Sequence, residues 1–110
     1  MKNEKITLLN AAILTAYGTF DYKFITLVEA RRTVREADEV KSAIGHAATA
    51  EIMTNLLDYK VEANRIEFFQ TVADIALIFR LKKRIGEGQV LSAKEIEKIG
   101  YEFGILRRLK

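Results

Sequence analysis

The sequence predicts a single α/β domain in which a mixed sheet of about five strands packs against helices. Two patterns point to this class, because apolar residues alternate with polar ones in some segments and recur at helical spacing in others. The chain length supports a single domain, since 110 residues suffice for one hydrophobic core. The sequence contains no Pro and no low-complexity stretch, so we expect residues 1–110 to form one domain without a linker.

Two short segments in the first quarter of the chain are predicted to be strands. Residues 6–9 form an apolar run that ends at Asn10. In residues 20–25, aromatic side chains alternate with charged ones. This period of two is typical of a half-buried edge strand.

Helical spacing begins at Thr26. Glu29 stands three residues later, as in a capping box, and apolar residues then follow one helical stripe. The stripe consists of Leu27, Ala30, Val34 and Ala37. Residues 41–45 are expected to form a short irregular or extended connection, and a second helix is predicted over residues 47–58.

Two strands are predicted to follow the second helix. Residues 65–70 and 74–82 are expected to pair as a hairpin through the connection at residues 71–73. Residues 75–79 are apolar in both alternating sets, which indicates a central strand that is covered on both faces. We expect helices to provide that cover.

A third helix and a last strand complete the predicted fold. Ser92 and Glu95 form a second capping box, and this helix is expected to stop at Gly100. Residues 101–109 then return as a strand. The expected order is therefore strand, strand, helix, helix, strand, strand, helix, strand.

Composition excludes several kinds of function. The sequence has no Cys, which excludes disulfides, thiolate metal sites and a cysteine nucleophile, and its single His is too few for a histidine metal cluster. We expect neither a metal nor another cofactor. A formal charge of +3, from 18 basic and 15 acidic residues, permits an anionic partner. No apolar run approaches about 18 residues, and no cleavage site of small residues follows the N-terminal apolar run, so we expect a cytoplasmic protein.

His46 is the first candidate for chemistry. It follows Gly45 at the start of the second predicted helix, where backbone N–H groups point outward and attract anions. Imidazole is also the side chain whose unperturbed charge changes near neutral pH. A phosphate bound at this helix end would touch the ring. The alternative is that His46 only caps the helix or faces water.

Other polar residues are candidate phosphate ligands. Arg84 and Glu87 lie in a Gly-containing stretch that lacks the spacing of a P-loop. Glu87 would repel a phosphate unless it binds a hydroxyl, a base amino group or a charged His, and a solvated turn is the alternative. Arg65 would bind a phosphate through two hydrogen bonds, or else form a surface ion pair. The basic residues at the end are expected to form a solubilising tail: Arg107, Arg108 and Lys110.

Cleavage of RNA is a reaction that needs no metal, because the ribose 2′-OH is a nucleophile within the substrate. The enzyme has to align this hydroxyl with the phosphorus, neutralise the phosphate and protonate the leaving oxygen. One His and one or two Arg would suffice for these tasks.

Four sequence segments are informative when they are taken together. The most specific is the Ser-x-x-Gly-His-x-x-Thr string that begins at Ser42. The other three are LLNAA from Leu8, NRI from Asn64 and RIGEGQVLS from Arg84. In combination they resemble the viral anti-CRISPR ring nuclease family over nearly the whole chain. One departure is Ile13, near which viral members tend to have a Ser.

The resemblance implies an enzyme that binds cyclic tetra-adenylate, the second messenger of type III CRISPR defence. Without a metal, such an enzyme cleaves the ring to linear di-adenylates that end in 2′,3′-cyclic phosphate. The resemblance implies His46 as general acid for the 5′-oxygen, Glu87 as the residue that positions or tunes His46, and Arg84 as an aid at the phosphate. The residues implied to line the ligand pocket are Asn10, Ala11, Gly45, Thr49 and Arg65. The family is homodimeric, and a two-fold dimer offers two equivalent sites to a ring held between the subunits.

Two other functions stay open at this point. A binding protein that sequesters the ring without hydrolysis would release unchanged ligand on denaturation. A DNA-binding regulator would use the slight positive charge, and its affinity would fall steeply with salt. No recognition-helix motif supports the regulator, and we expect no specific DNA partner.

Overall fold

The computed structural model describes residues 5–11, 14, 16–72, 74–82 and 93–110. These residues contain five strands and three helices. In chain order these elements are β1 (Lys5–Leu9), β2 (Phe20–Ile25), α1 (Leu27–Glu36), β3 (Glu39–Ser42), α2 (Ala47–Leu57), β4 (Ile75–Leu81), α3 (Ala93–Ile99) and β5 (Tyr101–Arg108). The strands form one sheet in the order β2-β5-β4-β1-β3. β1 pairs in parallel with β3 and β4, whereas β5 pairs antiparallel with β4 and β2. The predicted α/β class with a mixed five-stranded sheet is confirmed.

One face of the sheet carries the main core. Alternate side chains of the three central strands, such as Ile6, Leu77 and Phe103, are almost fully buried against apolar side chains of the helices. α2 contributes Ile52 and Met53 to this core. Because the burial of each such side chain is worth about 1.5–3 kcal/mol, the core fixes α2 firmly against the sheet.

The start of α1 agrees with the prediction. Thr26 Oγ1 accepts a hydrogen bond from the Glu29 N–H at 3.1 Å, and the Glu29 carboxylate accepts one from the Thr26 N–H at 2.8 Å. Ala30 and Val34 of the predicted apolar stripe are buried. The capping box and the amphipathic helix are therefore confirmed.

The second face of the sheet differs from the prediction, because no helix in the described part of the chain covers it. Ala76, Ile78 and Leu106 are buried on this face, where Phe68 and aromatic side chains of β2 pack on them. The expectation of helices on both faces is wrong. Large aromatic rings from an edge strand and an extended segment bury these small and branched side chains instead.

The strand predicted over residues 65–70, and its hairpin with β4, are also wrong. β4 already has β1 on one side and β5 on the other, so it has no free edge for a third strand. The segment instead buries Phe68 partly and Gln70 fully. Gln70 Nε2 donates to the Leu106 carbonyl at 2.8 Å. Of the side chains that suggested a strand, only Phe68 and Gln70 turn toward the sheet, whereas Ile66 is exposed.

The connection predicted at residues 41–45 contains the end of a strand that the sequence pattern did not reveal. β3 is the edge strand beside β1, with Glu39 and Lys41 at its exposed positions. Charged side chains are typical of edge strands, because they oppose pairing with other chains. Four residues with two charges give no apolar run, so only the parallel contact with a distant strand identifies β3.

The remaining boundaries differ from the predictions by one or two residues. α2 ends before Asp58, whose φ of 54° lies in the left-handed region. α3 stops at Gly100, as expected, with a φ of 93° that favours glycine. Ser92, the N-cap predicted for α3, lies outside the described residues. None of the helices in the described ranges has the length and apolarity needed to span a bilayer.

Arg108 does not belong to a solubilising tail. Its guanidinium donates to the carbonyl oxygens of Gln70 at 2.8 Å and Tyr17 at 3.1 Å. It also lies 5.9 Å from the centre of the Phe20 ring. Arg108 therefore ties two loop segments to β5, which corrects the prediction for this residue, whereas Arg107 is exposed.

Candidate functional site

Three parallel strands end at one edge of the sheet. β1 runs in the same direction as both β3 and β4, so the residues that follow β1 and β3 emerge side by side. Leu8 is in register with Ser42, and the Ala43 N–H donates to the Leu8 carbonyl at 3.0 Å. Asn10 and Ala11, directly after β1, therefore lie at the same edge as the segment that leads into α2.

The N-terminus of α2 presents an imidazole and backbone amides. His46 is the N-cap residue, its side chain is exposed, and it makes no capping hydrogen bond. The first turn of α2, which includes Thr49, contains no acidic residue. Outward N–H groups at the positive end of a helix dipole, without a capping side chain, are suited to bind an anion.

Arg65 reaches this helix end from the extended segment that follows α2. Its Nη2 donates to the Gly45 carbonyl at 3.3 Å, and its Nε lies 3.5 Å from the position that a Cβ on Gly45 would take. Within the described ranges, no carboxylate forms an ion pair with Arg65. The guanidinium therefore stays available beside the residue that precedes His46.

Ser42 and Asn64, to which the sequence reasoning gave no role, hold this arrangement together. The Ser42 hydroxyl accepts the Ile44 N–H at 3.2 Å and donates to the Glu62 carbonyl at 2.6 Å. Asn64 donates from its side chain to the Ser42 carbonyl at 2.8 Å and from its backbone to the Ile44 carbonyl at 2.7 Å. We name these hydrogen bonds the Ser42–Asn64 clamp. A Ser that accepts the N–H two residues later is a known turn signal, by which Ser42 could have been found.

The structure thus groups the predicted site residues around the start of α2. Gly45, His46, Thr49 and Arg65 lie at this helix end, and the two residues after β1 lie at the same sheet edge. The predicted Arg84 and Glu87 lie outside the described residues. Among those that are described, no group of three or more His, Cys, Asp or Glu is placed to hold a metal ion. Chemically, the arrangement can bind a phosphate through amides and a guanidinium, with an imidazole beside it.

Known proteins resemble this chain over most of its length. The family model described as STIV B116-like matches residues 6–103. The chain is 34% identical over 106 residues to YddF of Bacillus subtilis (strain 168), with 96% of this chain and 98% of YddF covered. It is 36% identical over 93 residues to ORF117 of the Acidianus two-tailed virus, with 83% and 80% covered. The solved structure of B116 of Sulfolobus turreted icosahedral virus has a TM-score of 0.81 and 25% identity, with 94% of this chain and 99% of that chain covered. The fold is therefore shared by relatives from a bacterium and from viruses.

Proposed function

Since this chain belongs to the STIV B116-like family, we propose that it is a metal-independent ring nuclease. Its proposed substrate is cyclic tetra-adenylate, which it would convert to linear di-adenylates and so end a type III CRISPR signal. The observation that carries the proposal is an exposed His46 at an uncapped helix N-terminus, preceded by Gly45, whose carbonyl accepts a hydrogen bond from the Arg65 guanidinium. The choice of substrate rests on the resemblance of the Ser42 to Thr49 string to ring nucleases.

In the proposed reaction, the scissile phosphate binds to the first amides of α2 and to Arg65. The ribose 2′-oxygen attacks the phosphorus and loses its proton to water, while the bond from phosphorus to the 5′-oxygen breaks. His46 gives its proton to that 5′-oxygen. The products are a 5′-hydroxyl and a 2′,3′-cyclic phosphate, and the amides and guanidinium stabilise the charge that develops between these states.

Arg84 and Glu87 complete the proposed machinery on the strength of the resemblance. Arg84 would add a second guanidinium at the phosphate, which gains negative charge in the transition state. Glu87 would accept a hydrogen bond from His46 and so orient the ring for proton donation. Both residues follow β4 in the sequence.

The proposal also requires two copies of the chain. The sequence contains one His, whereas the ring has to be cut at two opposed linkages to give two di-adenylates. A two-fold homodimer presents two equivalent imidazoles to a ring of compatible symmetry. Each subunit would then supply the acid for one cut.

The test is incubation of the purified protein with excess cyclic tetra-adenylate in the presence of EDTA, followed by chromatographic separation and mass analysis of the products. We expect many rings cleaved per protein, with di-adenylate 2′,3′-cyclic phosphate as the end product. A ring that stays intact after many equivalents would rule out the nuclease.

A protein that sequesters the ring is the second candidate. One observation favours it, because the His46 side chain has no hydrogen-bond partner within the described residues that would orient it as an acid. Amides and Arg65 alone would suffice for binding. Sequestration predicts tight binding, and denaturation of the complex would then return unchanged ring, so the same product analysis distinguishes the two candidates.

A further inference from the structure

We infer that Ser42 and Asn64 are positioning residues that hold Arg65 and His46 in one arrangement at the site. The inference rests on the proposed function and adds to it two side chains that bind only backbone groups. Neither residue is proposed to touch the substrate. Their effect is exerted through the conformation of the two segments that they join.

Several hydrogen bonds hold the backbone of the turn that leads from β3 into His46. Three carbonyl oxygens in the turn before His46, those of Ser42, Ile44 and Gly45, all accept hydrogen bonds from Asn64 or Arg65. The Ile44 N–H is held by the Ser42 hydroxyl. With its backbone groups bonded in this way, the turn between β3 and α2 has one conformation, which fixes the path of the chain into His46.

The clamp adjoins both functional residues, Arg65 and His46, in the sequence. Asn64 directly precedes Arg65, and the clamped turn directly precedes His46. Neither functional side chain has another described anchor that would set their relative position, since His46 makes no capping bond and Arg65 bonds only within the turn. The distance between guanidinium and imidazole therefore depends on the clamp.

The extended segment is held to the rest of the protein by contacts that do not involve the clamp. The extended segment that follows α2 has a second attachment near the start of the segment, where the Val61 N–H donates to Oγ1 of Thr54 in α2 at 2.9 Å. Val61 is buried in the main core. Loss of the clamp therefore leaves the segment attached to the molecule, and we expect the variants to fold.

The test compares substitutions that remove the side-chain hydrogen bonds of the clamp. Ser42→Ala removes both bonds of the hydroxyl, whereas Ser42→Thr keeps the oxygen. Asn64→Ala removes the side-chain N–H that binds the Ser42 carbonyl and adds no charge beside Arg65. Thr26→Ala serves as a matched control, because it removes a comparable hydrogen bond at the start of α1, away from the site.

We expect Ser42→Ala and Asn64→Ala to lower kcat for ring cleavage by about tenfold or more, since small displacements of catalytic groups have large effects on rate. KM should change less than kcat. Ser42→Thr should restore most of kcat, and Thr26→Ala should lower the melting temperature without a change in kcat. The reverse result, in which Ser42→Ala retains the wild-type kcat or loses no more than Thr26→Ala at equal stability, would overturn the inference.

A second readout does not depend on catalysis. The single His gives one set of imidazole NMR signals, and the Ile44 amide reports directly on the Ser42 hydroxyl. In Ser42→Ala we expect faster hydrogen exchange at Ile44 and a shifted or broadened His46 signal, both restored in Ser42→Thr. An unchanged His46 signal would refute the clamp. If the wild-type protein cleaved no ring, the proposed function would fail while these signals still decided whether the clamp positions His46.

Discussion

Arg65 and His46 differ in what holds them. Arg65 donates a hydrogen bond to the Gly45 carbonyl, whereas the His46 side chain is exposed and has no partner within the described residues. A tethered guanidinium suits a binding group, since little of its conformational freedom is lost when a ligand arrives. An exposed imidazole suits proton transfer. Substitutions at the two positions should therefore have different consequences.

Arg65→Ala should weaken ring binding roughly tenfold to a hundredfold, because a charge-assisted hydrogen bond contributes about 1.5–3 kcal/mol. The measurement is calorimetric titration in a His46→Ala background, in which turnover does not consume the ligand. Arg32→Ala, on the exposed side of α1, is the control for loss of one positive charge. Equal losses of affinity for both variants would mean that Arg65 acts only through the overall charge.

Tyr22 gives a prediction about alkaline stability. Its hydroxyl oxygen is buried without a hydrogen-bond partner in the described part of the chain, and burial raises the pKa of this phenol. The neutral form is thus favoured in the folded state, so the associated stability is present below the unfolded pKa and is lost as the pH rises through the folded pKa. Tyr22→Phe should unfold at a temperature less sensitive to alkaline pH.

The same substitution should raise the free energy of unfolding at neutral pH slightly, by up to about 1 kcal/mol, because it removes an unsatisfied buried hydroxyl. Chemical denaturation of both proteins at pH 7 measures the change in the free energy of unfolding. Thermal melts at pH 7 and pH 11 measure the sensitivity of the unfolding temperature to alkaline pH. A marked loss of stability in Tyr22→Phe at neutral pH would show that the hydroxyl has a stabilising partner.

Among the elements, α1 has the start that the sequence determines most clearly. The Thr26 N–H donates to the Glu29 carboxylate, and this backbone hydrogen bond, with the nearby Thr26 side chain, lowers the pKa of the Glu29 carboxyl. The stability that this depressed pKa provides is present above the unfolded value and is lost as the pH falls through the folded value. Thr26→Ala should cost about 0.5–2 kcal/mol in the free energy of unfolding.

Glu29→Gln tests the charge separately from the geometry, since Gln also completes a capping box. Its melting temperature should fall less than that of the wild type when the pH is lowered below the usual range of Glu. Thermal melts across the acidic range provide the comparison. Parallel curves for both proteins would mean that Glu29 does not contribute to the acid sensitivity.

Sequence patterns predicted the helices and strands whose signals lie within a few neighbouring residues. The capping box at Thr26 and the apolar stripe of α1 needed no distant contact, and the same holds for the start of α2 after Gly45. β3 escaped detection because its only strong signal is its pairing with β1. Residues 65–70 were mistaken for a strand because Ile66 and Phe68 alternate with charged residues, yet the segment has no strand edge to pair with and Ile66 is exposed.

The site was predictable to a similar extent. His46 at a phosphate-binding helix start and Arg65 as a phosphate ligand followed from the residues themselves, whereas the roles of Glu87 and of the other ligand-pocket residues came from the resemblance. The Ser42–Asn64 clamp joins residues that lie 22 positions apart in the sequence, so the local turn signal at Ser42 could not indicate its partner Asn64. The same applies to Arg108, whose bond to Gln70 spans 38 positions and cannot be told from an exposed charge in sequence alone.

For the whole molecule, the proposed reaction predicts one ring bound per two chains. A His46→Ala protein should bind cyclic tetra-adenylate at this ratio and elute at the mass of a dimer, because each subunit would contribute half of the proposed ligand surface. Titration calorimetry and light scattering on the same sample provide both numbers. A monomer that binds one ring per chain would contradict the proposed two-fold site.

Product analysis of wild type and His46→Ala in parallel decides whether His46 donates the proton that releases the 5′-oxygen. Both proteins are incubated with cyclic tetra-adenylate in EDTA, and ring affinity is measured for each. If His46 has this role, kcat falls by about 10²-fold or more in His46→Ala, while affinity changes much less. Turnover by His46→Ala at the wild-type rate, or a loss of affinity without a loss of kcat, would contradict it.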